Sequence, residues 1–266
     1  MMPDYLSPFQ IIFIRIAGAG LIFWLFDLLN PNHRAIPPVK ILIKLFLLAL
    51  LGIALNQTLF FIGLNLTSPV DTSIINSTNP LLVLLISLLI TKSLPSKYQI
   101  LGIISGMIGA IILIAPDNYL SHSSSITAGN WFILANTICW SLYLVLGKTM
   151  MSQYGTMYVM KWIFLFGFVL ISPFTIDDFL SIDISSFSTK AWFSLIYVVI
   201  GTTFLAYMLI TIGLKSMPPQ LVAVYTNLQP VIVVLIGFTI TNEGAGVDKL
   251  FAMLMVILGI FLVSRR

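Results

Sequence analysis

Three polar side chains, Thr72, Asn76 and Asn79, recur at i, i+4 and i+7 within an otherwise apolar run. On a helix that spacing places them on one stripe. A side-chain amide both donates and accepts hydrogen bonds, so the stripe suits non-covalent recognition of a polar molecule rather than bond making. A second set, Tyr225, Thr226 and Gln229, leads into Pro230 much as the first leads into Pro80. Asn56 and Gln57 are adjacent, so one of them at most faces fully into a cavity, and Tyr207 joins them as a candidate contact. Trp140 and Tyr143 are three apart on one helical face and could stack on a planar group. Arg15 could hold a carboxylate or phosphate bidentately, or serve as a structural partner to backbone carbonyls. For the amides the competing reading is interhelical hydrogen bonding that holds a bundle together, at about 0.6 to 2 kcal/mol per contact. Pro80 and Pro230, each in the middle of an apolar run, remove a backbone donor and bend a helix, which makes them candidate hinges.

The elements that must position these residues follow from composition. Of 266 residues, 59% are hydrophobic and 8% charged, against roughly a quarter charged in a soluble domain. A mean hydropathy of +1.05 completes the picture of a polytopic membrane protein. That excludes a soluble enzyme, a disordered tail and a disulfide scaffold. Net charge is +4 and pI about 9.2, but in a membrane protein Lys and Arg serve as cytoplasmic loop anchors, so no nucleic-acid partner is expected.

Nine candidate spans run approximately over Phe9–Leu29, Ile41–Leu64, Val70–Thr91, Tyr98–Ala115, Ala128–Gly147, Met157–Phe174, Ala191–Leu214, Leu221–Thr241 and Leu250–Val263. Each must be helical, because hydrocarbon offers the backbone no outside partner. The fold class is therefore all-α. A β-barrel would show alternating polar and apolar positions, and these runs are apolar all round.

The loops alternate in charge. Arg34, Lys40, Lys44, Lys92, Lys97, Lys148, Lys215, Arg265 and Arg266 fall on one side, and Lys190 and Lys249 on the other. The positive-inside rule makes the first side cytoplasmic, and with it the C-terminus. Arg15 then lies roughly 10 Å below the outer end of its span, while Lys161, close to the inner face, is expected to snorkel out.

Shifting the chain by 150 residues superposes Ile62-Gly63-Leu64 on Ile212-Gly213-Leu214, Pro69 on Pro219, Pro80 on Pro230 and Gly109 on Gly259. The spans carrying Pro80 and Pro230 run in opposite directions, the pattern of an inverted-topology repeat, common in secondary transporters. The motif Leu6-Ser7-Pro8 with Arg15, then Asn65-Leu66-Thr67-Ser68-Pro69 leading into the Pro80 span, resembles the EamA family of drug/metabolite transporters. So do Trp140-Ser141-Leu142-Tyr143 with Lys148, and Gly259-Ile260-Phe261-Leu262-Val263-Ser264 followed by two arginines.

The resemblance implies two inverted five-helix repeats around a central cavity that passes small metabolites. Residues 1–116 would form the first repeat with four helices, its first helix missing, and 126–264 the second with five. The expected function is a secondary transporter or facilitator, an exporter of small polar metabolites such as amino acids across a bacterial inner membrane. The alternative is a non-transporting truncated membrane protein or membrane interaction module. Because the family's first helix has no counterpart, the native product is expected to start about 25–35 residues earlier, a span's usual length plus a short lead.

No histidine lies in a span, no carboxylate is expected at the midplane, and Cys139 stands alone. No enzyme activity, cofactor or metal site is therefore expected; the partners are the bilayer and the transported molecule. Gly102-x-x-x-Gly106 with Gly109 permits close helix approach, and a homodimer through that face is possible. The orientation is testable with an impermeant thiol reagent on intact cells: cysteines replacing Ser124 and Ser181 should be labelled, and those replacing Ser96 and Ser216 should not.

Overall fold

The computed structural model describes residues 6–29, 36–67, 72, 75–91, 95–114, 124–182, 187–229, 231–232 and 247–264. All regular structure among them is helical: α1 (Pro8–Leu28), α2 (Val39–Leu66), α3 (Asn79–Thr91), α4 (Lys97–Ile114), α5 (Ser124–Tyr154), α6 (Thr156–Leu180), α7 (Thr189–Ser216), α8 (Pro219–Thr226) and α9 (Val247–Ser264). Among the described residues, five stretches are long and apolar enough to cross a bilayer: α1, α2, Ala128–Tyr154 of α5, α6 and α7. The expected spans Val70–Thr91 and Leu221–Thr241 lie partly outside the described residues.

The helix boundaries follow from local chemistry. Ser7 and Gln10 form a reciprocal cap at the start of α1, with Ser7 Oγ accepting from Gln10 N and Gln10 Oε1 from Ser7 N at 2.7 Å. Ser96 and Gln99 repeat this Ser-x-x-Gln cap at α4. One residue joins α5 to α6. Gly155, at φ 81°, takes a backbone conformation open to glycine and strained for other residues.

Two long helices are not uniformly α. Leu50–Ala54 of α2 and Tyr197–Leu205 of α7 are π-turns, and shifting the first by 150 residues lands it inside the second. The ends of the helices keep the same shift: α2 and α7 begin at 39 and 189 and end at 66 and 216, and α4 and α9 begin at 97 and 247 and end at 114 and 264.

The chain divides into two compact units, Met1–Thr58 with Leu146–Ser216, and Leu59–Val145 with Met217–Arg266. In the first, α1 lies antiparallel against α6. Gln10 reaches Asp178 at one end, Phe13 meets Phe168 at 5.3 Å, Phe23 meets Phe164 at 5.0 Å, and Asp27 meets Lys161 at the other end. Pro173 interrupts α6 without leaving its carbonyl bare, since Ser172 Oγ donates to Val169 O at 3.4 Å, where the missing proline N–H would have bonded.

The second unit is built on α4 against α9, also antiparallel. Gly102 faces Gly259 and Gly109 faces Ala252 and Val256, so closely that a Cβ on Gly102 or Gly259 would come within 2.6 Å of a backbone oxygen. The glycine face thought of as a route to a homodimer is thus filled by α9 of the same chain. Around it Leu84, Ile103, Val224 and Val263 form a buried cluster.

Gly259→Ala should therefore force the α4–α9 pair apart and lower stability by about 1–3 kcal/mol, read as a lower melting temperature in detergent. Gly201→Ala, where a Cβ meets only the Tyr197 ring at 3.2 Å, should shift it far less.

Candidate functional site

The first unit gathers Arg15, Gln57, Thr203 and Tyr207 from α1, α2 and α7. Arg15 Nε donates to Thr203 Oγ1 at 2.9 Å, and that hydroxyl donates back to Val198 O, five residues earlier, at 2.8 Å. Tyr207 is buried, its ring edge-on to Phe164 at 5.3 Å. Its hydroxyl donates to Gly52 O at 3.1 Å, inside the π-turn of α2, and accepts from Gln57 Nε2 at 3.2 Å. Both π-turns thus meet an external polar group. Asn56 is half-buried beside Gln57.

In the second unit Asn76 and Asn79 face α5. Thr137 Oγ1 donates to Asn76 Oδ1 at 2.9 Å and Ser141 Oγ to Asn79 Oδ1 at 2.8 Å, each hydroxyl also lying within reach of the carbonyl four residues back. Thr72 and Asn79 are buried. The amide oxygens therefore tie two helices together, the work foreseen in the interhelical reading. Trp140 and Tyr143 stack on each other at 5.0 Å and 27°, and Tyr143 is fully buried. Tyr225 and Gln229 are exposed.

Pro80 does not bend a continuous helix. Residues 75–77 are helical, Thr78 forms a turn, and α3 starts at Asn79. Pro80 stands in its first turn, where a missing N–H costs nothing. Across from this break, α8 is capped by Asn227, whose Nδ2 donates to Ser77 O at 3.5 Å. Pro230 lies outside the described residues.

Two further residues, Asp27 and Lys161, form an ion pair with both side chains 4% exposed. Lys161 does not snorkel. Its ammonium sits 4.9–5.9 Å from the rings of Trp24, Tyr158 and Trp162, an aromatic surround that attracts a cation. The signal in the sequence is one base in the span Met157–Phe174 and one acid in the span Phe9–Leu29, whose other charge is Arg15. Beside Trp24, α1 and α6 also frame an open apolar groove of about 470 Å³ lined by Ile16, Ala17, Gly20, Phe164 and Phe168, which suits hydrocarbon and offers little to a polar molecule.

Apolar helices of membrane length that enclose polar clusters and a sequestered ion pair mark a multi-pass membrane protein. The chain matches the EamA-like transporter family over residues 1–115 and 127–265, and it belongs to that family. It is similar to the uncharacterised transporter YyaM of Bacillus subtilis (25% identity, 98% of this chain, 85% of that one). It is similar also to Protein PecM of Dickeya dadantii (28%, 98% and 86%) and to a WAT1-related protein of Arabidopsis thaliana (25%, 97% and 77%). A solved crystal structure shares the fold at a TM-score of 0.78 and 17% identity, covering 97% of this chain and 88% of that one.

Removing one partner of the buried pair leaves a lone charge, so Asp27→Asn or Lys161→Met should each cost about 3–5 kcal/mol. The double variant Asp27→Leu/Lys161→Met should recover most of that. Melting temperature and membrane abundance of the three variants check it.

Proposed function

We propose that the protein is a secondary transporter built from two inverted repeats, residues 1–116 and 126–264, that exports small polar metabolites such as amino acids. The observation that carries this reading is that residues 150 apart touch one another. Gln57 bonds to Tyr207, Ser105 Oγ donates to Met255 O at 3.0 Å, and Ser77 O accepts from Asn227. A residue can meet its own counterpart only where a pseudo-two-fold axis passes between them. The antiparallel packing of α1 on α6 and of α4 on α9 supports the same operator, because counterparts in an inverted repeat run in opposite directions. Breaks near the counterpart residues Ser77 and Asn227 add the discontinuous helices on which such transporters build their sites.

On this reading the substrate passes through a central cavity between the repeats, with Arg15, Asn56, Gln57, Thr72, Asn76, Asn79, Trp140, Tyr143, Tyr207, Tyr225 and Gln229 as its contacts and Pro80 and Pro230 as hinges. The imbalance of loop charge favours a cytoplasmic C-terminus in a bacterial inner membrane.

Proteoliposomes loaded with a labelled mixture of the twenty L-amino acids test the reading. At least one amino acid should leave faster than from protein-free vesicles. Gln57→Leu and Tyr207→Phe, each removing about 1 kcal/mol of hydrogen bonding, should slow that efflux several-fold at unchanged protein content. No protein-dependent movement of any label would reject it.

A further inference from the structure

We propose that Arg15 is the anchor for a carboxylate on the transported molecule, so that the substrate class is small carboxylates bearing a neighbouring N–H donor, α-amino acids among them. This rests on the transport reading above and sharpens it.

The argument starts from charge. Arg15 is the eighth residue of α1, roughly 10 Å along its axis from Pro8 and inside the ~30 Å of hydrocarbon. A guanidinium carries five N–H donors and stays charged. Here Nε alone is engaged, by Thr203, and the two terminal nitrogens have no hydrogen-bond or ion-pair partner among the described residues. Among the described residues no carboxylate pairs with it. Asp27 on the same helix is committed to Lys161 and lies twelve residues away, about 18 Å along the axis. Asp177 and Asp178 are exposed.

A charge held within hydrocarbon wants a counter-charge, and a single anion would supply it. The geometry is prepared for it. Thr203 is itself held by Val198 O, which fixes the guanidinium by Nε and leaves the paired terminal nitrogens as a ready two-pronged donor for an oxyanion. One positive charge is matched by a carboxylate; a doubly charged phosphate would leave an excess of negative charge in hydrocarbon. The second feature of the substrate follows from α7. Thr203 and Tyr207 are four residues apart on that helix, hence neighbours on one face. Tyr207 holds Gln57 through Nε2, which leaves Gln57 Oε1 as an acceptor. A carboxylate on Arg15 and a donor such as an α-ammonium toward Gln57 are therefore addressed from adjacent turns.

The experiment compares L-amino acids with their carboxamides and with O-phosphoethanolamine, as competitors of labelled amino-acid flux in proteoliposomes and as additives in thermal melting of the detergent-purified protein. Amino acids should compete at least tenfold better than the matching amides and should alone raise the melting temperature. Arg15→Gln should abolish both differences, whereas Thr203→Val, which loosens the guanidinium without removing it, should reduce them. Should Arg15→Gln fail to accumulate, the acid-against-amide comparison on the native protein decides alone. Amides equal to acids would overturn the inference and leave transport standing. A preference for the phosphomonoester would overturn the carboxylate assignment. Acid-specific melting shifts without flux would reject transport and keep the anion site, and neither flux nor shift would reject both.

Discussion

Hydrocarbon supplies no hydrogen bonds, so every interruption of an α-helical ladder must be repaired from within the protein. Among the described residues, the two π-turns, the Pro173 site and the break before α3 are each met by a side chain. The Tyr207 hydroxyl serves Gly52 O in the π-turn of α2, and the hydroxyls of Thr202 and Thr203 serve Val198 O in that of α7. Ser172 serves the carbonyl that Pro173 cannot, and Asn227 serves Ser77 O at the break before α3. The polar residues of the spans are thus distributed by the irregularities of the backbone. Those irregularities are also where a helix can change its course at low cost.

A second rule governs the apolar faces. With lipid as apolar as leucine, helices gain little from the hydrophobic effect and associate through close contact. Gly102, Gly109 and Gly259 bring α4 and α9 to backbone contact, and Gly18 and Gly167 admit Val199 and Ile53 in the other unit. Large apolar side chains such as Leu21, Leu89 and Phe174 are left exposed, as suits a surface that meets acyl chains.

Much of this was readable before any fold was known. Apolar runs of membrane length, and the shift of 150 that aligns Pro69 with Pro219 and Gly109 with Gly259, follow from residue identity alone. The pairing of side chains was not readable. Asn76 and Asn79 form a stripe by periodicity, but whether a stripe faces a cavity or a helix depends on what lies opposite, and Thr137 and Ser141 are some sixty residues away. Lys161 looks free to snorkel because its stem is long and the interface near; that Asp27 lies across from it depends on the antiparallel register of α1 and α6. The π-turns leave no trace in composition, and Pro80, central to an apolar run, stands at a helix start because the turn at Thr78 comes first.

The α1–α6 pair is fastened differently at its two ends. One end carries the sequestered Asp27–Lys161 pair, and the other the exposed bonds from Gln10 Nε2 to Asp178 O at 2.8 Å and Ser181 Oγ at 3.3 Å. Water competes for the neutral hydrogen bonds at the Gln10 end and is kept from the charges at the Asp27 end, so one helix pair answers to the same solvent in two different ways.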